Sequence, residues 1–554
     1  IWGNNINPGE DNNATGILVE GSDYTSIGVI GHTQLGSGRD DGNVIRNAGS
    51  GIVVKKSSDQ GSDHGSDHVK IYRNMIDDTG DNAIAVLDSA SVEVKGNKIG
   101  RTGGENNIVG DGIFFNRSNN ATIEDNKIAN TDSTARDKGS AIQYINGSGA
   151  TISDNEIEVI DWDGIRVEDA FDITASKNDI DDVERTGIYF GNVKSSTEEK
   201  YSMAEENKIS GTNSHHGIDV YGGSKIKLLK NTVSDTAQDG IRVKNTGTDT
   251  SSGVTIVDNW IGYEFGEDAS RQAADTGNIE GTGIEVNNSA YAEISDNHVT
   301  QTKLDGIHIN GSNNTSVAGN QVANTVGNGI LVNPSDNVEI FDNIIFDAGE
   351  NGIKVDQGVG VDIYNNKILL TGENGISVIG NPDGINGDDV NGDDVNGDDV
   401  NGDDFNGDDF NGDDFVNIYL NEVALTGGHG INVKHRGETR IYGNDIFATG
   451  ILSLAEDNIV ESDSGSETVG ALLDLHFASK ESGENHGNGI NAENIHFGNE
   501  RPVLADGELD NPTFEESAAL AITGNNVFLT AGHGIFAGQS QDTAINRNHV
   551  EGAG

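Results

Sequence analysis

The sequence has no cysteine, and only five prolines, two methionines and three tryptophans in 554 residues. Without cysteine, no disulfide contributes to stability, and the redox compartment is left open. Aromatic residues make up 5% of the chain, and lysine plus arginine number 34 against 91 acidic residues, a formal charge of −57. So few bulky anchors argue against a helical bundle. A surface this acidic repels phosphate backbones and anionic membranes, so neither nucleic acid nor lipid is expected as a partner. It also repels itself, which points to cation-rich surroundings such as brine or a calcium-bearing exterior. An exported protein is the expectation, with an acidic halophile cytosol as the other setting that gives such a charge. The chain has no apolar run of roughly 18 residues and no basic, apolar, small-residue leader, so neither membrane insertion nor a retained signal peptide is expected. Ile1 in place of Met points to processing or truncation upstream.

What the chain does have is glycine, 76 of them, among Asn, Asp, Thr, Val and Ile. Its length exceeds one compact core, so it is multi-domain, a very large single sheet system or a repeat array, and the composition favours the last. The dipeptide Gly-Ile recurs at Gly164, Gly187, Gly217, Gly240, Gly283, Gly306, Gly329, Gly352 and Gly375, with most steps 23 residues long. A second mark, Asn-x-Ile/Val, falls nine residues before the next Gly-Ile, at Asn155, Asn178, Asn231, Asn297, Asn320, Asn343, Asn366, Asn421 and Asn525. Two phased marks identify a repeat. Each unit holds three short alternating runs separated by Gly, Asn, Asp and Ser, which is the pattern of three half-buried strands joined by turns. Three strands turning one way every 23 residues predict a coil of a parallel β-helix, each strand pairing with its counterpart one coil on, about 4.8 Å away. Ile and Val then line the interior. The phased Asn is expected in a bend at one height in every coil, its amide bonded to its neighbours and to turn backbone.

On these residues, from Ile1-Trp2-Gly3-Asn4 to Asn548-His549-Val550, the chain resembles the right-handed parallel β-helix repeat family. That superfamily contains pectate lyases, polygalacturonases, alginate epimerases, NosD-like periplasmic proteins and many surface and fibre proteins. The resemblance implies an all-β solenoid with right-handed crossovers and does not by itself choose a function.

Excess length enters at two edges of the coil. Insertions 57–68, 193–200 and 382–414 follow first strands; 262–278 and 451–488 follow third strands, and 499–520 adds another. Residues 1–449 are expected as β-helix with inserted loops and 450–554 as further coils with long insertions. About 17 coils give a rod roughly 80 Å long at the inter-strand spacing. No cap is evident at either end, so the expectation is a piece of a longer solenoid or head-to-tail self-association into a filament.

Residues 386–415 are six copies of a five-residue unit, NGDDV and then NGDDF. Adjacent carboxylates at Asp388, Asp389, Asp393, Asp394, Asp398, Asp399, Asp403, Asp404, Asp408, Asp409, Asp413 and Asp414 are hard oxygen ligands at a density that suits Ca²⁺. The twelve-residue EF-hand spacing is absent, and the alternative is a hydrated, expandable acidic loop. His64 and His68 with Asp63 and Asp67 offer a weaker metal clip, or a polar loop.

The outward position after Gly-Ile reads Arg166, Tyr189, Asp219, Arg242, Glu285 and His308 down successive coils, and the position before Gly reads Asp163, Thr186, His216, Asp239, Thr282 and Asp305. His216, Asp219, Asp239, Arg242 and Lys244 on neighbouring coils could perform general acid and base work on a uronate. Asp219, Arg242 and Glu285 also alternate in sign, and opposite charges on adjacent strands stabilise a sheet without chemistry. Gly428-His429-Gly430 and Gly532-His533-Gly534 look like the polygalacturonase G-H-G but fall at the Gly-Ile repeat position, and the partner Asp pair, the D-P-H-E of epimerases and the W-x-D-H of pectate lyases are missing. The first expectation is therefore a non-enzymatic extracellular solenoid at a cell surface or in a filament, adhesive and calcium-binding through its acidic loops. The alternative is a lyase, epimerase or hydrolase acting on uronic-acid polysaccharides through His216, Asp219, Asp239 and Arg242.

Overall fold

The computed structural model describes residues 1, 3–8, 14–28, 42–57, 66–100, 108–131, 139–197, 199–247, 252–265, 271–273, 278–380, 415–434, 438–449, 490–493, 520–530, 533–538 and 543–552. They form two compact units, Ile1–Ser316 and Val317–Gly554. Each unit is built from coils of three strands, and like strands of successive coils pair in parallel. In the first unit, first strands pair Ile165↔Ile188, Ile188↔Ile218 and Ile218↔Ile241; second strands pair Ile226↔Val254; third strands pair Ile157↔Ile180. In the second unit the same three registers appear as Ile353↔Ile376, Ile363↔Ile418 and Ile368↔Val423. The sequence period and the pairing step are one quantity, so apolar residues stack on apolar residues without register slip.

The alternation expected from the sequence is what buries the core. In Ile165–Glu168 the apolar Ile165 and Val167 face inward and are fully buried, while Arg166 and Glu168 face outward. Repeated on every coil, this gives the interior Ile and Val ladders, each such side chain contributing about 1.5–3 kcal/mol relative to exposure. Gly precedes the Ile because the chain approaches its neighbours closely there. A Cβ at Gly217 would stand 2.3 Å from Val233 Cγ1 and 2.7 Å from the Gly240 carbonyl.

Bends are made by single residues in the left-handed region, held by polar ladders. Lys177, Glu206 and Asn365, each directly before a ladder Asn, have φ of 55°, 54° and 54°; four residues after the Asn, Asp182 and Leu370 have φ of 52° and 57°. Left-handed backbone is unfavourable for such side chains, and the ladder offsets it. Asn178 donates its backbone N–H and its amide to Asn207 Oδ1 at 3.0 and 2.9 Å, and its amide also reaches the Ile152 carbonyl at 3.0 Å. In the second unit, Asn343 bonds Asn366 Oδ1 at 3.1 and 2.9 Å in the same way. At the following bend Thr236 Oγ1 donates to the Gln238 carbonyl, and Thr371 Oγ1 to that of Glu373.

The described strands that precede the segments read as insertions are Ile52–Lys55 before 57–68, Ile188–Gly191 before 193–200, Ile376–Ile379 before 382–414, Trp260–Ile261 before 262–278 and Asp445–Thr449 before 451–488. The 262–278 insertion contains an antiparallel pair, Tyr263–Phe265 with Arg271–Ala273. All of 382–414 and 451–488 lies outside the described residues, as do 58–65, including His64, and 499–519. Among the described residues no helix is long and apolar enough to cross a membrane.

Candidate functional site: the charged face of the first strands

The first-strand sheet of the first unit aligns Arg166, Tyr189, Asp219, Arg242, Glu285 and His308 in one outward row. Three residues earlier in each coil, at the bend before the glycine, runs the row Asp163, Thr186, His216, Asp239, Thr282. The sheet thus brings together all four sequence-derived candidates, His216, Asp219, Asp239 and Arg242, on two adjacent coils.

Their contacts are specific. Arg242 grips Asp219 with both ends of the guanidinium, Nε to Oδ1 at 3.0 Å and Nη2 to Oδ2 at 2.8 Å, and the Asp219 side chain is 5% exposed. Burial disfavours charge on Arg242, but the Asp219 contact outweighs it and keeps the guanidinium charged. One coil group earlier, Arg166 bonds the fully buried Asp163 at 2.7 Å and Glu168 at 2.6 Å, and its guanidinium lies 4.5 Å from the centre of the Tyr189 ring. Arg185 stacks over Trp162 at 3.9 Å and stands 3.9 Å from Asp163 Oδ2. Of these ion pairs Arg242–Asp219 is bidentate, while Arg166 divides its guanidinium between Asp163 and Glu168.

The row before the glycine has a job in the backbone. The Ser140 N–H donates to Asp111 Oδ1 at 2.8 Å, Thr186 N–H to Asp163 Oδ1 at 3.2 Å and Thr282 N–H to Asp239 Oδ1 at 2.8 Å. In the second unit Asn351 N–H donates to Asn328 Oδ1, Asn374 N–H to Asn351 Oδ1 and His429 N–H to Asn374 Oδ1. His216 is a rung of this ladder: Asp239 N–H donates to its Nδ1 at 3.1 Å. The same Nδ1 is also 3.1 Å from Asp239 Oδ2. It cannot accept from one and donate to the other at once. The amide bond is the resting arrangement, because the equivalent bond recurs on coils that carry Asp or Asn instead of His. His216 Nε2 is buried and meets no partner.

Asp239 and Glu285 form a hydrogen-bonded carboxyl pair whose proton affinities are driven apart. Burial works to raise Asp239; in the other arrangement, where His216 Nδ1 carries a proton and donates to Oδ2, that contact, then the Thr282 N–H and the Glu285 hydrogen bond, outweigh burial and hold Asp239 below the usual carboxylate range. Burial first, then the Asp239 charge, push Glu285 up. Burial also raises Asp111 to about 7, against the lowering hydrogen bond from Ser140. Glu285 thus lies between Asp239, whose charge raises it, and Arg242, which its own charge helps keep protonated. Among the described residues no cluster of three or more His, Asp or Glu is arranged to hold a metal. The twelve aspartates from Asp388 to Asp414 proposed for calcium lie outside the described residues.

Sequence reasoning did not single out Asp111, Arg185 and Trp162, nor the backbone-capping role of the row before glycine. A signal for the latter was present: Asp163, His216, Asp239, Asn328, Asn351 and Asn374 are all side-chain acceptors at one repeat position.

The family model described as the right handed beta helix region matches residues 3–159, 105–261 and 273–390. No curated protein matches the chain. Among solved structures, the A-module of mannuronan C-5 epimerase AlgE6 from Azotobacter vinelandii is 10% identical, covering 61% of this chain and 86% of that one at a TM-score of 0.39. PfbA, a surface adhesin of Streptococcus pneumoniae, is 12% identical with coverages of 62% and 85% and a TM-score of 0.37. The receptor binding domain of the siphovirus 9NA tailspike is 8% identical with coverages of 67% and 74% and a TM-score of 0.38.

Proposed function

From the premise that the chain belongs to the right-handed β-helix family, we propose that it is an extracellular structural solenoid of a cell surface or filament, adhesive through its faces and calcium-binding through its acidic loops. The observation that carries this reading is the closed pairing of the candidate face. Asp219 is engaged at both oxygens by Arg242, and His216 and Asp239 cap backbone amides. Groups so occupied stabilise the sheet and are not free to attack or protonate a substrate. The charge of −57 supports a cation-rich exterior, and the NGDD copies supply the oxygen ligands calcium uses.

The test is calcium titration calorimetry on the intact chain, with negative-stain microscopy in calcium and then in chelator. Heat of binding that disappears when residues 386–415 are deleted, with calcium-dependent association, is expected. No calcium uptake and single particles under both conditions would overturn the proposal. One observation favours a second reading, a polysaccharide-active enzyme: the Asp239–Glu285 pair, whose split proton affinities resemble an acid and a base.

A further inference from the structure

The outward face of the second strands in the Val317–Gly554 unit carries a ladder of aromatic rings. Phe341, Tyr364, Tyr419 and Tyr442 stack one above another, with centroids 4.9, 4.8 and 4.9 Å apart and planes within 1°, 7° and 2° of parallel. The register fixes them: Phe341↔Tyr364, Tyr364↔Tyr419 and Tyr419↔Tyr442 pair directly. All four are half-buried, so the ladder is open to solvent along its length. Parallel rings touch at roughly 3.5–4 Å between carbons, so a centroid spacing near 4.8 Å means slipped stacking, in which part of each face stays uncovered.

Two residues back on each strand, on the same face, runs a second column, Glu339, Asp362, Asn417 and Arg440. Asn417 donates to Asp362 Oδ1 at 2.7 Å and so fixes that carboxylate in the column. The tyrosines sense these acids. Burial first, then Glu339, Asp342 and Asp362, push the Tyr364 hydroxyl up. Burial, then Tyr442 and Asp362, do the same for Tyr419. Burial first, then Asp362, push Tyr442 up as well, with Arg440 working against them. The field along the ladder is therefore negative at the Phe341 end and relieved at the Tyr442 end.

We propose that the strip of sheet formed by these two columns binds flat, elongated aromatic cations lengthwise, over Phe341, Tyr364 and Tyr419, with the positive charge beside Glu339 and Asp362. Three rungs, two inter-strand spacings apart, span about 10 Å, the length of two or three fused or linked aromatic rings. Stacking and cation–π attraction supply affinity, and the acidic column selects charge.

The probe is thioflavin T, a cationic benzothiazole, titrated into the intact chain and followed by fluorescence and equilibrium dialysis. Saturable binding is expected, weakened about tenfold by Tyr364→Leu with Tyr419→Leu. It is also expected to weaken several-fold in Glu339→Gln, an exposed change that leaves the ladder intact, and with the uncharged N-demethylated analogue of the dye. Circular dichroism and melting confirm that each variant is folded. Loss in the leucine variant with the predicted charge dependence supports the site. No saturable binding, binding unchanged in the folded leucine variant, or equal binding of the uncharged analogue would overturn it.

Discussion

His216 accepts the backbone N–H of Asp239 at 3.1 Å through Nδ1, on a rung that Asp or Asn fills in other coils. This relationship changes what the histidine means. A buried His beside a carboxylate on the outer face of a solenoid reads as catalytic from sequence, yet the bond it makes is the one any side-chain acceptor would make at that height.

If capping is the role of His216, Asn serves as well as His. His216→Asn should melt within about 1 kcal/mol of wild type, whereas His216→Ala, which leaves the amide of Asp239 buried and unbonded, should lose about 1–3 kcal/mol. Chemical denaturation of the three proteins checks this.

The Asp219–Arg242 pair should show strong coupling. Arg242→Met strands a carboxylate that is 5% exposed and should cost roughly 3 kcal/mol. Asp219→Leu with Arg242→Met removes both charges and should recover most of the loss. A double-mutant cycle measures the coupling.

Asp111 should make stability fall with pH. Its carboxyl titrates at about 7 in the folded chain against an ordinary value of 3.8. A raised acid contributes stability that is fully present below the unfolded value and is lost as pH rises through the folded one. Between pH 4 and 7 the loss should reach roughly 3 kcal/mol. Asp111→Asn keeps an oxygen for the Ser140 N–H and removes this titration, so its advantage over wild type should grow from pH 4 to 8 in melting curves.

The asparagine ladder should be intolerant of change. Asn343 gives and receives bonds with Asn320 and Asn366 and holds the Val317 carbonyl at 2.9 Å. Asn343→Leu leaves several of these groups unpaired in the interior and should cost more than about 3 kcal/mol, read as a lowered melting temperature.

The fold was legible because its period is written twice, in Gly-Ile and in Asn-x-Ile, and each mark has a physical cause. Gly217 avoids a Cβ that would collide with Val233, and Asn178 bonds Asn207. The site was legible as a set of neighbours, since register alone brings Asp219 beside Arg242. What sequence could not give was how each group is occupied. That Glu285 stands close enough to Asp239 for the two carboxyls to perturb each other, as well as beside Arg242, depends on side-chain direction across a bend. The aromatic ladder lay in plain view, two residues before Asn343, Asn366, Asn421 and Asn444, but uneven spacing of 23, 55 and 23 residues across the NGDD insertion hides it from a search at fixed period.

The most direct measurement separates a structural face from a catalytic one. The intact chain, with and without calcium, is incubated with polymannuronate and polygalacturonate, and unsaturated ends, reducing ends and epimer ratio are followed by ultraviolet absorbance, reducing-sugar assay and proton NMR. A structural solenoid predicts no turnover by wild type, Asp239→Asn or Glu285→Gln, with all three indistinguishable from buffer. Turnover by wild type that Glu285→Gln abolishes without unfolding the chain would contradict it and assign the Asp239–Glu285 pair to catalysis.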